Sequence, residues 1–450
     1  MTQQSPSPLG ASMKDKLIQQ ARERRLREAT GDNAAPAAHT LQDAVAVPEQ
    51  FYRFDQHPGY QQLQVMVQSA ARMGLSSPFF KLHDDLAEAQ TRIGGQPYIN
   101  YASYNYLGYS GHPQVAEAAK AAVDRYGTSV SASRAVSGER PLHRELEQAL
   151  AQLYEVDDAV TFVSGHATNV TTIGYLFGPR DLVVHDELIH NSVLQGIQLS
   201  GARRLSFAHN DHQALDRLLG EQRGQFERVL VVLEGIYSMD GDYPDLPKFI
   251  ELKRRHKVFL MVDEAHSLGV MGATGKGIRE HFGLAGSDVD IWMGTLSKTL
   301  SSCGGYIAGE SALVEHLKFL APGFLYSVGM PPASTAAALA ALQLLPHDAD
   351  RVAALQARGQ QFLSLARAAG LDTATSTGLA VIPVITGSSL KATLLSAALF
   401  KRGINAQPIL YPAVPEKSAR VRFFMSCQHT EAQITDTVRI VTEELARLGG

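Results

Sequence analysis

The sequence predicts an α/β protein in which a large domain with a mainly parallel sheet precedes a smaller α+β domain. From Tyr98 onward, apolar, β-branched runs alternate with amphipathic stretches. Almost every residue in each run is apolar, as in strands covered on both faces rather than half-exposed ones. After Met330-Pro331-Pro332 the pattern changes to a long Ala/Leu helix followed by isolated short strands.

The elements follow in order. Residues 13–29 carry dense charge around a few leucines and isoleucines, which predicts an exposed helix, and residues 31–48 form an Ala/Pro-containing linker. Strands are expected at 159–163, 181–184, 229–233, 258–262 and 291–293. Each ends in polar residues or glycine: Ser164-Gly165-His166, His185-Asp186, Glu234-Gly235, Asp263-Glu264-Ala265-His266 and Gly294-Thr295. Because ligands of parallel sheets collect at the carboxyl ends of strands, this convergence marks a site. Farther on, strands are expected near 380–385 and 421–424, with a helix over 389–401. The expected divisions are an extension and linker (1–50), an arm packing on the small domain (51–97), the large domain (98–335) and the small domain (336–450).

Composition narrows the class. With 45% hydrophobic and 19% charged residues and a net charge of −4, the chain has no basic excess of the kind that nucleic acid demands. Two cysteines, Cys303 and Cys427, are too few for a disulfide framework or a cysteine-rich metal site, so no metal is expected and the compartment reads as reducing and cytoplasmic. Neither a secretory signal nor an apolar run long enough to span a membrane is evident.

Lys298, in Gly-Thr-Leu-Ser-Lys-Thr, and Asp263, in Met-Val-Asp-Glu-Ala-His, each follow an apolar run. An amine, a carboxylate and an imidazole at neighbouring strand ends suit pyridoxal 5'-phosphate. The amine forms a Schiff base with its aldehyde, and the carboxylate keeps its ring nitrogen protonated. Hydroxyls at Thr295, Ser297 and Thr299 suit a phosphate ester. The Ser164-Gly165-His166 turn opens a helix whose positive end can receive the phosphate. His190 is a candidate for the face of the pyridine ring, and His266 for its phenolic oxygen. Glycines at 269–277 superficially suggest a nucleotide loop, but Lys276 is followed by Gly277 rather than Ser or Thr, so the loop reads as structural.

Taken in order, seven segments resemble the α-oxoamine synthases: 103–108, 164–169, His190, 234–242, 263–269, 294–298 and 326–332. The resemblance implies a fold type I architecture with a seven-stranded sheet, and a homodimer with shared active sites. It implies that Lys298 is the Schiff-base lysine, Asp263 the partner of the pyridine nitrogen and His190 the ring-stacking residue. His266 and Ser238 would contact the phenolic oxygen, with Glu234 beside the cofactor. Ser164, Thr295, Ser297 and the backbone at Gly165 and His166 would surround the phosphate, with Ser327 supplied by the other subunit. Tyr104 and Asn105 would border the substrate.

The implied reaction is a decarboxylative, Claisen-like condensation of an α-amino acid with an acyl thioester, yielding an α-aminoketone, CO2 and thiol. An aminotransferase or lyase of the same fold is the nearest alternative, and a non-catalytic partner subunit a further one, although such a subunit should lack Lys298. The family often carries an arginine for the amino-acid carboxylate where this chain has Leu410; Arg420 and Arg422 lie nearby on one face of a strand. The Gln407-Pro408-Ile409 to Val414 segment, the N-terminal extension and residues 92–96 resemble the synthase modules of polyketide and prodiginine-type pathways. This points to an acyl-carrier protein as donor.

Overall fold

The computed structural model describes residues 47–72 and 77–449; the helix and linker expected within 1–46 lie outside the described residues. Residues 47–72 belong to a unit of their own. It consists of two short 3-10 turns, Glu49–Phe51 and Phe54–Gln56, and the helix Pro58–Arg72, which starts on a proline.

Residues 77–449 belong to the second unit. Its centre is a seven-stranded sheet built from β3 (Asp158–Phe162), β4 (Leu182–Asp186), β5 (Arg203–Phe207), β6 (Val229–Glu234), β7 (Phe259–Asp263), β8 (Ile291–Thr295) and β9 (Gly305–Gly309). The spatial order is β3-β9-β8-β7-β6-β4-β5, and only β9 runs against its neighbours. Every residue of β4 and β6 is buried, as the apolar runs at 182–184 and 229–233 require, and the burial extends to their polar ends His185, Asp186 and Glu234. β5 and β9 are additional to the five strands expected here. β5 is an edge strand with a largely exposed, Arg-containing sequence, and β9 is short and bounded by glycines, so neither presents a long apolar run.

Register sets the site. Glu234 lies opposite Asp263, Asp263 opposite Met293, and Thr295 opposite Gly305. The polar strand ends therefore fall in one row along the carboxyl edge of the sheet.

Two three-stranded sheets complete the unit. In one, β1 (Gln90–Ile93) and β2 (Gln96–Asn100) are joined by β11 (Ile404–Asn405). In the other, β13 (Arg420–Phe424) lies between β10 (Val381–Ile385) and β12 (Gln407–Ile409). A hydrophobic core runs from Leu182, Val231 and Trp292 of the large sheet to Val381, Phe423 and Val441, and a second cluster packs around Val183, Val232 and Ile307. The glycine loop at 269–277 closes on Glu264: the Ile278 N–H donates to that buried carboxylate at 3.1 Å, and a Cβ on Gly277 would lie 2.4 Å from it.

Candidate active site

The strand ends enclose a cavity of about 340 Å³. Tyr104, Ser164, Gly165, His166, His190, Glu234, Ser238, Asp263, His266, Thr295, Ser297 and Lys298 all line it. Three sequence-predicted residues do not. The Thr299 hydroxyl is buried and donates to Leu268 O at 2.8 Å. Asn105 is buried with its amide directed to Ala87 O and its side-chain oxygen accepting from the Ser110 N–H. Ser327 is half-buried, its hydroxyl 3.2 Å from Val328 O.

Lys298 sits just beyond β8, in a turn closed by the Ser301 N–H donating to its carbonyl. Burial lowers its ammonium pKa to about 8, although Asp263 and Glu234 pull the other way. Asp263 accepts hydrogen bonds from Asn169 Nδ2 at 2.9 Å and from the Ala265 N–H at 3.0 Å. The same Asn169 amide donates to Ser192 Oγ at 2.9 Å, and that hydroxyl lies 2.7 Å from His190 Nδ1. Because the Ser192 oxygen receives the amide proton, its own proton is free for Nδ1. Asp263 and His190 are thus oriented by one short network through Asn169, a residue whose role the sequence reading missed. Its signal was position: Asn169 lies one helical turn past Gly165, on the helix that the cavity's glycine turn begins. Burial lowers the His190 pKa, with Asp263 opposing, so the ring is neutral at pH 7.

The helix Gly165–Leu176 is capped by Ser164, whose hydroxyl accepts from the Ala167 N–H. Its first turn therefore brings backbone N–H groups and the positive end of the helix to the cavity wall. Thr295 Oγ1 would lie 2.8 Å from a Cβ on Gly165, so only glycine leaves this approach open. Beside it, Thr295 donates to Gly304 O and also lies 3.2 Å from Ser297 Oγ.

His266 Nδ1 lies 2.7 Å from Tyr106 Oη, and its ring stacks on Phe424 at 6.0 Å. Burial, then the nearby Lys298 and Arg422 cations, press its pKa well below the usual value. Burial likewise pushes the Tyr106 phenol far up, so its proton stays on. A neutral imidazole that accepts from Tyr106 at Nδ1 carries its own proton on Nε2.

The small sheet supplies what the sequence reading left open. Arg420 and Arg422 do share a face of β13, but their fates differ. Arg420 is tied to Asp240 at 2.6 Å. Arg422 lines the cavity, donates to Ser238 O at 2.8 Å and lies 4.4 Å from the centre of the Phe424 ring. It forms no ion pair with a carboxylate among the described residues, and burial lowers its pKa to about 10. An unpaired buried guanidinium is costly unless an anion joins it. Leu410 is not part of the cavity wall.

These residues fit pyridoxal phosphate on the structure's own terms. A buried amine with a lowered pKa faces a carboxylate already held by two N–H donors, with an imidazole ordered beside it. A helix N-terminus is kept open by a glycine at the other end of the cavity.

Comparison with known proteins bears this out at the level of class. Residues 96–441 match the family model "Aminotransferase class I and II". A serine palmitoyltransferase from Sphingomonas wittichii superposes with a TM-score of 0.83 at 27% identity, covering 87% of this chain and 98% of that one. A high-resolution structure of serine palmitoyltransferase with its pyridoxal-phosphate internal aldimine matches equally well, also with a TM-score of 0.83. Fold and cofactor together define a fold type I, pyridoxal-phosphate-dependent enzyme.

The curated relatives narrow the class to an acyltransferase family. A putative 8-amino-7-oxononanoate synthase from Gloeobacter violaceus is 41% identical over 374 residues, 82% of this chain and 93% of that protein. An 8-amino-7-oxononanoate synthase from Treponema denticola is 35% identical over 378 residues, 84% and 95% of the two chains. The chain belongs to the α-oxoamine synthases. No helix among the described residues is long and apolar enough to cross a membrane.

Proposed function

We propose that this enzyme joins an α-amino acid to an acyl thioester with loss of CO2, releasing an α-aminoketone and a free thiol. The observation that carries the reading is Arg422: a half-buried, desolvated guanidinium with no carboxylate partner among the described residues, in the wall that also holds Lys298. It takes the amino-acid carboxylate in the role for which Leu410 is unsuited, with the guanidinium fork matching both oxygens. Phe424 beneath the fork and Ser238 O beside it fix its plane.

Pyridoxal phosphate, when bound, supplies an aldehyde for the amine and a pyridinium ring that accepts electrons from the substrate's α-carbon. Asp263 would hold the ring nitrogen and His190 would lie over the ring face. His266 Nε2–H and Ser238 would meet the phenolic oxygen, with Glu234 in the wall beside them. Ser164, Gly165, His166, Thr295 and Ser297 would receive the phosphate. Lys298, with its pKa lowered to about 8, yields a substantial neutral fraction near pH 7 to 8 and serves as the base that takes the α-proton. Tyr104, whose ring centre is 5.6 Å from Lys298 Nζ, borders the substrate, and Asn105 braces the turn that carries it.

The finer reading is a cytoplasmic homodimer in which Ser327 reaches the partner's cavity, with an acyl-carrier protein as donor. It draws support from the exposed Tyr326 and Val328 on either side of the half-buried Ser327, and from the Gln407 to Val414 segment. Thiol release measured with one amino acid and matched acyl-carrier and acyl-CoA donors tests it. Faster turnover on the carrier is expected, and faster turnover on CoA overturns the carrier assignment. Release of thiol and CO2 that needs only one of the two substrates would overturn the condensation itself.

A further inference from the structure

A second charge cluster lies outside the cavity, and none of the chemistry above uses it. His209 follows β5 and is set between two aspartates. Its Nδ1 is 2.9 Å from Asp186 Oδ1 and its Nε2 is 2.9 Å from Asp242 Oδ2. A carboxylate oxygen only accepts, so both ring nitrogens must donate and the ring is an imidazolium. Burial disfavours that charge, but the two carboxylate hydrogen bonds outweigh it and raise the pKa to about 10. The other groups against the residue are the Tyr237 edge, 4.5 Å away and perpendicular, Asn210, whose side-chain nitrogen lies 3.2 Å from His209 Nε2 and 3.5 Å from Asp242 Oδ2, and Glu187, which accepts from the His209 backbone N–H at 3.0 Å.

Each aspartate anchors a segment that delivers a cavity residue. Asp186 ends β4; its Oδ1 accepts from the Leu188 N–H, its Oδ2 from the Asn210 N–H and its carbonyl from the Ile189 N–H. Those bonds fix the short turn leading to His190. Asp242 accepts at its carbonyl from the Tyr237 N–H, while the Gly241 N–H donates to Tyr237 O, closing the loop that carries Ser238.

We propose that His209 is a positioning residue: a fixed cation that sets the separation of the His190 turn from the Ser238 loop, and through them the two sides from which the cofactor ring is held. The proposal rests on the cofactor-binding reading of the cavity and is independent of the acyl donor. With a neutral ring, one nitrogen lone pair would face a carboxylate, the two aspartates would repel, and the turn and loop would separate.

The test compares wild type, His209→Gln and the double variant His209→Gln/Asp242→Asn, each checked for native circular dichroism. The readouts are the pyridoxal-phosphate dissociation constant and the visible spectrum of the holoenzyme. The single substitution removes the charge, and binding is expected to weaken by about tenfold or more, with a displaced absorbance band. In the double variant, the introduced asparagine amide can donate to the oxygen of the introduced glutamine, whose own amide donates to Asp186. This neutral bridge should restore binding to within about threefold of wild type. His209→Gln with wild-type affinity and spectrum would overturn the clamp, as would a double variant no better than the single one. If His209→Gln does not fold, ¹⁵N-histidine solid-state NMR of the wild type at about pH 8.5 decides instead, where an unpaired histidine is neutral. An imidazolium with both nitrogens protonated is expected, and its absence sinks the proposal. Failure of wild type itself to bind pyridoxal phosphate would break the reading of the cavity and leave the clamp a separate matter.

Discussion

Two walls face each other across the cavity, and they were built differently. The sheet-edge wall (Ser164 to His166, His190, Glu234, Asp263 and Thr295 to Lys298) comes from consecutive strand ends held in register. The small-sheet wall consists of Arg422 and Phe424 on β13. In the first wall each residue sits in its own motif, beside an apolar run that dictates where it must emerge. In the second, the strand residue is placed by partners remote in sequence, Ser238 and Asp240, that decide which of two arginines is spent on structure. The lesson is that the residues suited to the cofactor are placed by the sheet, while the cation proposed for the substrate carboxylate is placed by tertiary pairing.

The most severe test of the sheet wall is Lys298→Ala. Removing the amine should abolish the yellow colour at about 420 nm and cut kcat by about 10³-fold or more, with the protein still folded. Absorbance and single-turnover thiol release read both effects. Retained colour would mean that another amine serves the cofactor.

Against this, Arg422→Ala should spare the colour and raise KM for the amino acid, since the cofactor's contacts come from the other wall. Loss of a charged hydrogen-bond pair worth about 1.5–3 kcal/mol predicts roughly 10–150-fold. Arg422→Lys should fall between, keeping the charge without the fork. If Arg420→Lys raised that KM more than Arg422→Lys does, the assignment of the two arginines would be reversed.

How far each wall was legible follows from the same contrast. The fold class, five strands of the large sheet and the helix Ser389–Lys401 could be read because burial on both faces leaves a continuous apolar signature. β5 and β9 could not be read, because an exposed edge and a glycine-bounded strand carry no such signature. Asn169 was quoted within a motif but its role was hidden, since a helical turn of separation says which face a residue shares and not that Asp263 and Ser192 wait there. Strand alternation did place Arg420 and Arg422 on one face. Only the Arg420–Asp240 pair shows which is left over.

The walls also differ in how they respond to pH. Burial lowers the Lys298 pKa to about 8, so the folded apo-protein binds that proton less tightly than the unfolded chain does. Between pH 8 and the ordinary lysine value of about 10.5, the unfolded chain holds this proton more tightly, so the contribution of Lys298 to stability rises with pH through that window, while His209, its pKa raised to about 10, contributes in the opposite sense. Urea denaturation of apo wild type and apo Lys298→Met at several pH values should show a slope of stability against pH that is more positive in wild type than in the variant. Equal slopes would mean that the amine is not desolvated as the cavity requires.

The smallest expected effect separates two neighbours on the same wall. Glu234 and Asp263 lie opposite each other on adjacent strands, yet their hydrogen bonding differs. Asp263 receives two N–H donors on its two oxygens, whereas Glu234 accepts from the Ser238 N–H at one oxygen and has no partner for the other. Burial, then the charge of Asp263, push the Glu234 pKa well above the usual carboxylate range, which favours its neutral acid form. Glutamine reproduces a neutral acid in size and in having one donor and one acceptor end. Glu234→Gln should therefore stay within about threefold of wild-type kcat/KM, while Asp263→Asn should lose far more by removing a charge the ring nitrogen needs. A Glu234→Gln enzyme as impaired as Asp263→Asn would show that both carboxylates are ionised, and that the wall carries one more negative charge than its geometry supports.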